Sequence, residues 1–371
     1  MKLALLDPPS YSPMYDHHLA SALGARGHDV DLLTSPFAYG APPAPNGYRR
    51  QELFLPLSGR LLRRAPRSRL RFVVKGAEYV PSVIRLMRSV GALDPDVLHV
   101  QWLAVQRYDL RWIERLRRNR PVVLTAHNVL PHEGDADTAE RRRLYSAFDR
   151  IVVHTKRGAE QLSAFGVPAD RVVQIPHGTF DAPPAAIEPP AGRILLFFGL
   201  IRRYKGLDVL VRALPEIHDA RLVVAGDPLD PIEPVQELAR DLGVADRIAW
   251  RLGYLSASEV ETLMREATLT VFPYRSGESA SGALATALGH GRPAVVTEIL
   301  GETVREYGAG LVVPPDDPQA LAQAVNRLLD DPEELEAAFR GTEDARQALS
   351  WDSIAAAHER LYSDLVAKVA R

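Results

Sequence analysis

The sequence predicts an α/β fold class with two doubly wound, parallel-stranded domains, and three observations carry that prediction. The chain has 371 residues, about two to three times a domain of roughly 100 to 200 residues. Short apolar, β-rich runs alternate with helical patterns, the rhythm of βαβ units whose strands are buried on both faces. That rhythm breaks once, at a proline-rich stretch, and then restarts.

In the first half the runs Leu3–Leu6, Val30–Leu33, Val97–Val100, Val122–Leu124, Ile151–Val153 and Val172–Ile175 read as strands. The first of them runs into Asp7 and two prolines with no basic lead and no cleavage site, so it is expected to be a buried strand and not a signal peptide. Residues 181–192 hold four prolines and no periodicity. They cannot supply a ladder of hydrogen bonds and read as the linker. Beyond them Ile194–Phe198, Arg221–Ala225, Ile248–Arg251, Leu269–Phe272, Ala294–Thr297 and Gly310–Val313 repeat the pattern. Trp351–Arg371 reads as an amphipathic helix with Ile354, Ala357, Leu361, Leu365 and Val369 near one stripe. The expected organisation is a Rossmann-like domain over 1–180, a linker over 181–192, a second Rossmann-like domain over 193–351 and a terminal helix over about 352–371.

Hydrophobic residues make up 46% of the chain and charged residues 25%, which excludes disordered and collagen-like classes. Zero cysteines exclude disulfides, thiolate nucleophiles and thiolate metal sites, and fit a reducing compartment. No run approaches the roughly 20 apolar residues of a spanning helix. The expected location is the cytoplasm, with peripheral contact at the inner membrane surface as a further option.

The net charge of −2 hides an asymmetry. Residues 1–180 hold 26 Lys/Arg against 17 Asp/Glu, and the remainder 19 against 30. A basic half suits an anionic membrane or a phosphorylated acceptor, and complementary docking between the halves is the alternative. Between Arg60 and Lys75 seven cations interleave with Leu61, Leu62, Leu70, Phe72, Val73 and Val74, a mixture suited to anionic lipid. Pro66 interrupts it, and a solvated loop is the other reading. Phe72 is the only aromatic among these cations, so nucleic acid is not an expected partner.

An ordered series of short motifs then narrows the class. Phe197-Phe198-Gly199 is followed by Lys205-Gly206, Val223-Val224-Ala225-Gly226-Asp227 and Gly253-Tyr254-Leu255-Ser256. Phe272-Pro273 through Glu278 to Gly291-Arg292-Pro293 completes it. The first half holds Gly27-His28-Asp29-Val30, Pro95-Asp96-Val97-Leu98-His99, Thr125-Ala126-His127-Asn128 and Ile175-Pro176-His177-Gly178. The series spans nearly the whole chain and resembles glycosyltransferase family 4 and related retaining enzymes of the GT-B architecture. The resemblance implies two Rossmann-like domains facing across a cleft, with the last helix crossing back to the first domain. It implies a nucleotide-diphosphate sugar, a UDP or GDP sugar, held mainly by the second domain. Its glycosyl group would pass with retention to a hydroxyl acceptor, a glycan, a lipid-linked or a small molecule, as in polysaccharide biosynthesis. Ligands of open α/β sheets sit at the carboxyl ends of the strands, which agrees.

Such a transfer needs the departing diphosphate stabilised while positive charge develops at the anomeric carbon. The sequence offers no convincing carboxylate pair or histidine cluster for a metal, so neither metal nor cofactor is expected. Arg202 and Lys205, in the loop after a strand, can act as fixed cations. The family arginine directly after Gly199 is Leu200 here, which makes Arg202 the candidate guanidinium and Arg203 its rival. Lys205 stands where the family lysine does, with a solvated basic loop as the alternative.

By resemblance Glu278 faces the donor sugar. The second family glutamate, which commonly holds the ribose, is Thr286 here, so that contact is expected to be weaker or supplied elsewhere. Ser279, Ser281 and Gly282 are expected to open a helix through Leu288 whose amino end can meet a phosphate, or simply to cap it. Leu252 and Tyr254 lie in the loop expected near the base, with plain packing equally open. His127 resembles the family histidine that reaches the donor sugar, a structural loop histidine being the alternative. His99, His132 and His177 read as wall or structural residues. Where the family often has Gly-Gly, the loop Pro8–Met14 carries Ser10 and Tyr11, expected to reshape the acceptor side. Two other functions stay open, a nucleotide-sugar 2-epimerase of the same fold and a non-catalytic binder of sugar nucleotides or glycans.

Overall fold

The computed structural model describes residues 1–37, 40–57, 70–130, 138–180, 190, 192–277 and 280–369. They form two compact units. One comprises Met1–Val129, Asp135–Pro176 and Trp351–Arg371, and the other Leu130–Gly134 and His177–Ser350.

The first unit is built on seven parallel strands: β1 Lys2–Asp7, β2 Asp29–Thr34, β3 Arg49–Glu52, β4 Val97–Val100, β5 Val122–Thr125, β6 Arg150–Val153 and β7 Val172–Gln174, in the order β3-β2-β1-β4-β5-β6-β7. The inner strands are mainly apolar, as strands of a parallel sheet covered on both faces are, and Leu5, Leu6, Leu98, Val123 and Ile151 are fully buried. β3 has no apolar residue and no periodicity to announce it. It forms at the sheet edge because Arg49 and Gln51 bond to the buried Asp31 of β2. The order reverses between β1 and β4, so the loops after those strands and after β5 meet at a topological switch point.

The helix Trp351–Val369 packs on this unit. Arg26 pairs with Asp352 at 2.9 Å and Glu359 at 2.7 Å, Trp351 meets the edge of Tyr15 at 5.0 Å, and the Tyr362 hydroxyl bonds His99 at 2.6 Å. Of the predicted stripe, Ile354, Leu361 and Leu365 are buried.

The second unit has six parallel strands: β8 Ile194–Phe198, β9 Arg221–Gly226, β10 Ile248–Leu252, β11 Leu269–Phe272, β12 Ala294–Thr297 and β13 Gly310–Val313, in the order β10-β9-β8-β11-β12-β13. Its switch point lies between β8 and β11. The segment His177–Phe180 belongs here and not to the first unit as the sequence suggested. Thr179 donates its N–H to Leu349 at 3.0 Å and Phe180 to Ala285 at 3.3 Å, and Gly289 has no side chain because a Cβ would begin 2.2 Å from the Phe180 carbonyl oxygen. Of the predicted linker, residues 181–189 and 191 lie outside the described residues. No helix of the described residues is long and apolar enough to cross a membrane.

Candidate functional site

In the second unit glycines let the end of β9 press on the loop after β8, and let that loop press on the one after β11. Gly226 ends β9 at φ 149°, and a Cβ there would begin 1.9 Å from the Gly199 carbonyl oxygen. Gly206 adopts φ 69°, and its Cβ would lie 2.0 Å from the Pro273 carbonyl oxygen. Only glycine permits either approach.

Arg275 fastens the same two loops. It pairs with Asp208 at 2.6 Å and with Asp316, its guanidinium donates to the Arg203 carbonyl at 3.3 Å, and its own N–H donates to Tyr204 at 2.8 Å.

This framework buries Lys205, which is 8% exposed. Its Nζ lies 5.3 Å from the centre of the Tyr274 ring. Nζ and the Ala283 Cβ both stand 3.3 Å from the point where a Gly199 side chain would begin. Among the described residues the ammonium has no carboxylate partner, and burial lowers its pKa. An ammonium taken from water without a counter-ion is costly, and an anion bound beside it removes that cost.

The helix Gly282–Gly289 supplies the rest. Ser281 caps it, accepting the Leu284 N–H at 3.4 Å and meeting the Tyr274 hydroxyl at 3.2 Å. The helix thus begins at Gly282, later than the Ser279 start allowed by the sequence, and its exposed first residue brings the amino end beside Gly199 and Lys205. Helix amino ends favour anions. Lys205, Gly199, Ser281 and Gly282 are therefore brought together at one anion-accepting point.

Other expected residues stand differently. Arg202 and Arg203 line a cavity of about 440 Å³ with Asp208 and Asp230, to whose wall Lys205 does not contribute. The Arg203 N–H donates to Asp230 at 2.8 Å. The Thr286 hydroxyl donates to the Gly282 carbonyl at 2.8 Å, leaving its lone pairs as its offer to a ligand. Leu252 and Tyr254 are 41% and 59% exposed, which is presentation at a strand end and not core packing. Glu278 and Ser279 lie outside the described residues.

His127 belongs to the first unit, after β5. Its ring stacks on Trp102 at 5.0 Å and 9°, and Tyr15 meets it edge-on at 4.8 Å. His154 is buried, and desolvation lowers its pKa to about 4, so it is neutral. Its Nδ1–H donates to the Ile175 carbonyl at 2.9 Å, which leaves Nε2 to accept from His127 Nδ1 at 3.3 Å. The Gln101 side-chain oxygen Oε1 lies 3.1 Å from His127 Nε2.

The Trp102 indole donates to Ser12 Oγ at 2.8 Å, and the Ser12 N–H donates to Asp7 Oδ2 at 3.0 Å. Asp7 and Asp16 are both buried, and desolvation raises both carboxyls, Asp16 strongly because Asp7 is close. Of the two expected acceptor-side residues, Tyr11 is 62% exposed and meets Trp102 edge-on at 5.5 Å. Ser10 turns inward at φ 54° and is buried.

Sequence reasoning missed Trp102, Ser12, Tyr274 and Arg275. Each stands within a few residues of the carboxyl end of a parallel strand, and that position was the available signal. Among the described residues no group of His, Asp and Glu is placed to hold a metal ion.

Comparison with known proteins bears on the family and the fold. Residues 15–179 match the model described as Glycosyltransferase Family 4, and residues 192–331 the one described as Glycosyl transferases group 1. The chain is 29% identical to a D-inositol 3-phosphate glycosyltransferase of Acidothermus cellulolyticus, over 96% of this chain and 86% of that protein. It is 27% identical to the enzyme of the same name from Thermobispora bispora, over 96% and 90%. Among solved structures it resembles sucrose-phosphate synthase of Thermosynechococcus elongatus with a TM-score of 0.78 at 23% identity, covering 99% and 100% of the two chains. It also resembles Anabaena HepE in complex with UDP, with a TM-score of 0.73 at 16% identity, covering 98% and 100%. These structural likenesses concern the fold.

Proposed function

We infer, from a chain that belongs to glycosyltransferase family 4 among the group 1 glycosyltransferases, that Lys205 and the amino end of the Gly282–Gly289 helix receive the diphosphate of a nucleotide-diphosphate sugar. The protein is a glycosyltransferase of the GT-B fold that passes the glycosyl group to a hydroxyl acceptor. The observation that carries the assignment is the buried Lys205 ammonium with no carboxylate partner among the described residues, set between Gly199 and that helix end.

The chemistry follows from what must balance. The bond from the anomeric carbon to the diphosphate oxygen breaks and its electron pair stays on the diphosphate. Lys205 and the helix end stabilise that charge where it develops, and their pre-set positions require no reorganisation. The acceptor oxygen forms the new bond on the face the diphosphate leaves, and its proton passes to a phosphate oxygen. Configuration is thereby retained and no side-chain base is required. Arg202 adds positive potential from the same loop. His127 and Glu278 bind the donor sugar, as the family resemblance implies, and Tyr254 and Leu252 meet the base. No metal is invoked, since the fixed cations supply the charge.

Relatives named for D-inositol 3-phosphate and a neighbour solved with UDP support a UDP-sugar donor and a small polyol acceptor as the first pair to try. Peripheral contact with an anionic membrane through residues 60–75 is a further part of this reading. It rests on composition, because 58–69 lie outside the described residues.

The test is release of nucleoside diphosphate from UDP-, GDP- and ADP-sugars, with and without D-inositol 3-phosphate and simple methyl glycosides, in excess EDTA. Acceptor-dependent release that survives EDTA and is lost in Lys205→Met supports the reading. Turnover that requires an added metal contradicts its metal-free part. Donor conversion to a sugar epimer without any acceptor would favour an epimerase.

A further inference from the structure

The first unit carries a basic concavity at the amino-terminal end of its strands, the opposite end from His127, which follows the carboxyl end of β5. The helix Thr138–Ser146 ends just before β6, and the turn Phe165–Arg171 leads into β7, so both flank the amino ends of those strands. Between them lies a cavity of about 570 Å³. Arg142, Arg143 and Arg171 line it, and no acidic side chain does among the described residues.

The three guanidinium groups make no ion pair and no hydrogen bond among the described residues. Nearby arginines behave otherwise, Arg117 pairing with Asp149 at 2.8 Å and Arg120 with Asp94 at 3.3 Å. The cavity is also firmly built. Tyr145 and Phe165 are buried with ring centres 6.0 Å apart, and the Tyr145 hydroxyl is fixed to the Val129 carbonyl at 2.7 Å. Gly166, at φ 77°, leaves the rim without a side chain where a Cβ would begin 3.9 Å from Arg142 Nε.

Three like charges around one concavity repel each other, and a multivalent anion reverses the sign of that interaction. Guanidinium forks match the oxygens of a phosphate, two N–H donors at a time. We propose that this cavity binds a phosphate group, as the free dianion or as a phosphomonoester, at a site separate from the one that holds the donor. The phosphate is carried either by a soluble phosphorylated molecule or by a lipid headgroup.

The test uses the full chain with Lys205→Met, which removes the donor-site cation. Inorganic phosphate is titrated calorimetrically into this protein and into the same protein carrying Arg142→Gln, Arg143→Gln and Arg171→Gln. Binding is expected in the first, weaker by roughly tenfold or more for each arginine removed. No binding to the Lys205→Met protein, or equal binding to both, overturns the proposal. Arg142→Lys alone keeps the charge and the fold, and is expected to weaken phosphate because a fork is lost; unchanged affinity there counts against the bidentate geometry.

Flotation with phosphatidylcholine vesicles, with and without phosphatidic acid, separates the sources. Flotation that needs phosphatidic acid and the three arginines assigns a lipid headgroup. Phosphate binding without flotation assigns a soluble ligand.

Discussion

The Lys205 ammonium lies 5.3 Å from the centre of the Tyr274 ring, and the Tyr274 hydroxyl meets Ser281 at 3.2 Å. One tyrosine thus joins the lysine of the β8 loop to the cap of the helix that follows β11. Desolvation raises its phenol to about 12, so it stays neutral at working pH and offers the cation its ring face.

Replacing that ring separates its two roles. Tyr274→Phe keeps the face and loses a hydrogen bond of about 1 kcal/mol. Tyr274→Leu also loses a desolvated cation–π contact of about 2 kcal/mol. Donor affinity is expected to fall several-fold in the first and by more than tenfold in the second, measured by calorimetry with one nucleotide sugar.

Lys205→Met trades function against stability. Loss of one pre-set charge at the departing diphosphate is expected to lower kcat/KM by about 100- to 1000-fold. The ligand-free protein should melt no lower than wild type, because a desolvated cation lacking a carboxylate partner is replaced by an apolar chain of similar length. A steady-state assay and a melting curve check both parts.

Gly226→Ala tests the glycine clamp. A Cβ 1.9 Å from the Gly199 carbonyl oxygen at a positive φ forces a backbone shift and should cost at least about 2 kcal/mol. Gly243→Ala, also at positive φ but with open space around the added carbon, should cost about 1 kcal/mol or less. Paired chemical denaturation of the two variants distinguishes crowding from backbone conformation.

The first unit should lose stability in mild acid through His358. Desolvation lowers its pKa from 6.5 to about 4, outweighing the bond to the Ile354 carbonyl. The unfolded chain therefore binds the extra proton between those values, and stability present above about 6.5 is lost as pH falls to about 4, by up to about 3 kcal/mol. The raised carboxyls of Asp7 and Asp16 act the other way, favouring the fold at low pH. His358→Phe leaves them in place, so the difference between its pH–stability curve and that of wild type isolates the histidine. Parallel curves would show that His358 is not neutral in the fold.

Much of this was legible beforehand where burial dictates composition. All twelve predicted strands form, because a parallel strand covered on both faces has to be apolar. β3 was not legible, since its Arg49–Glu52 sequence owes its place to Asp31 and not to its own pattern. At the site, Lys205 was legible from Lys-Gly after a strand. Its burial was not, for that depends on Gly206 touching Pro273 and Arg275 bridging to Asp208, contacts between segments about 70 residues apart. Trp102 and Tyr274 escaped notice because an aromatic residue after a strand looks like core until its neighbours are known.

The central claim is that Lys205 receives the donor diphosphate, and the most direct measurement is calorimetric titration of UDP, GDP and ADP in EDTA into wild type and Lys205→Met. The account predicts that one nucleotide binds wild type, with affinity reduced by tenfold or more in the variant. Equal affinity in both proteins would contradict it and move the diphosphate away from the β8 loop.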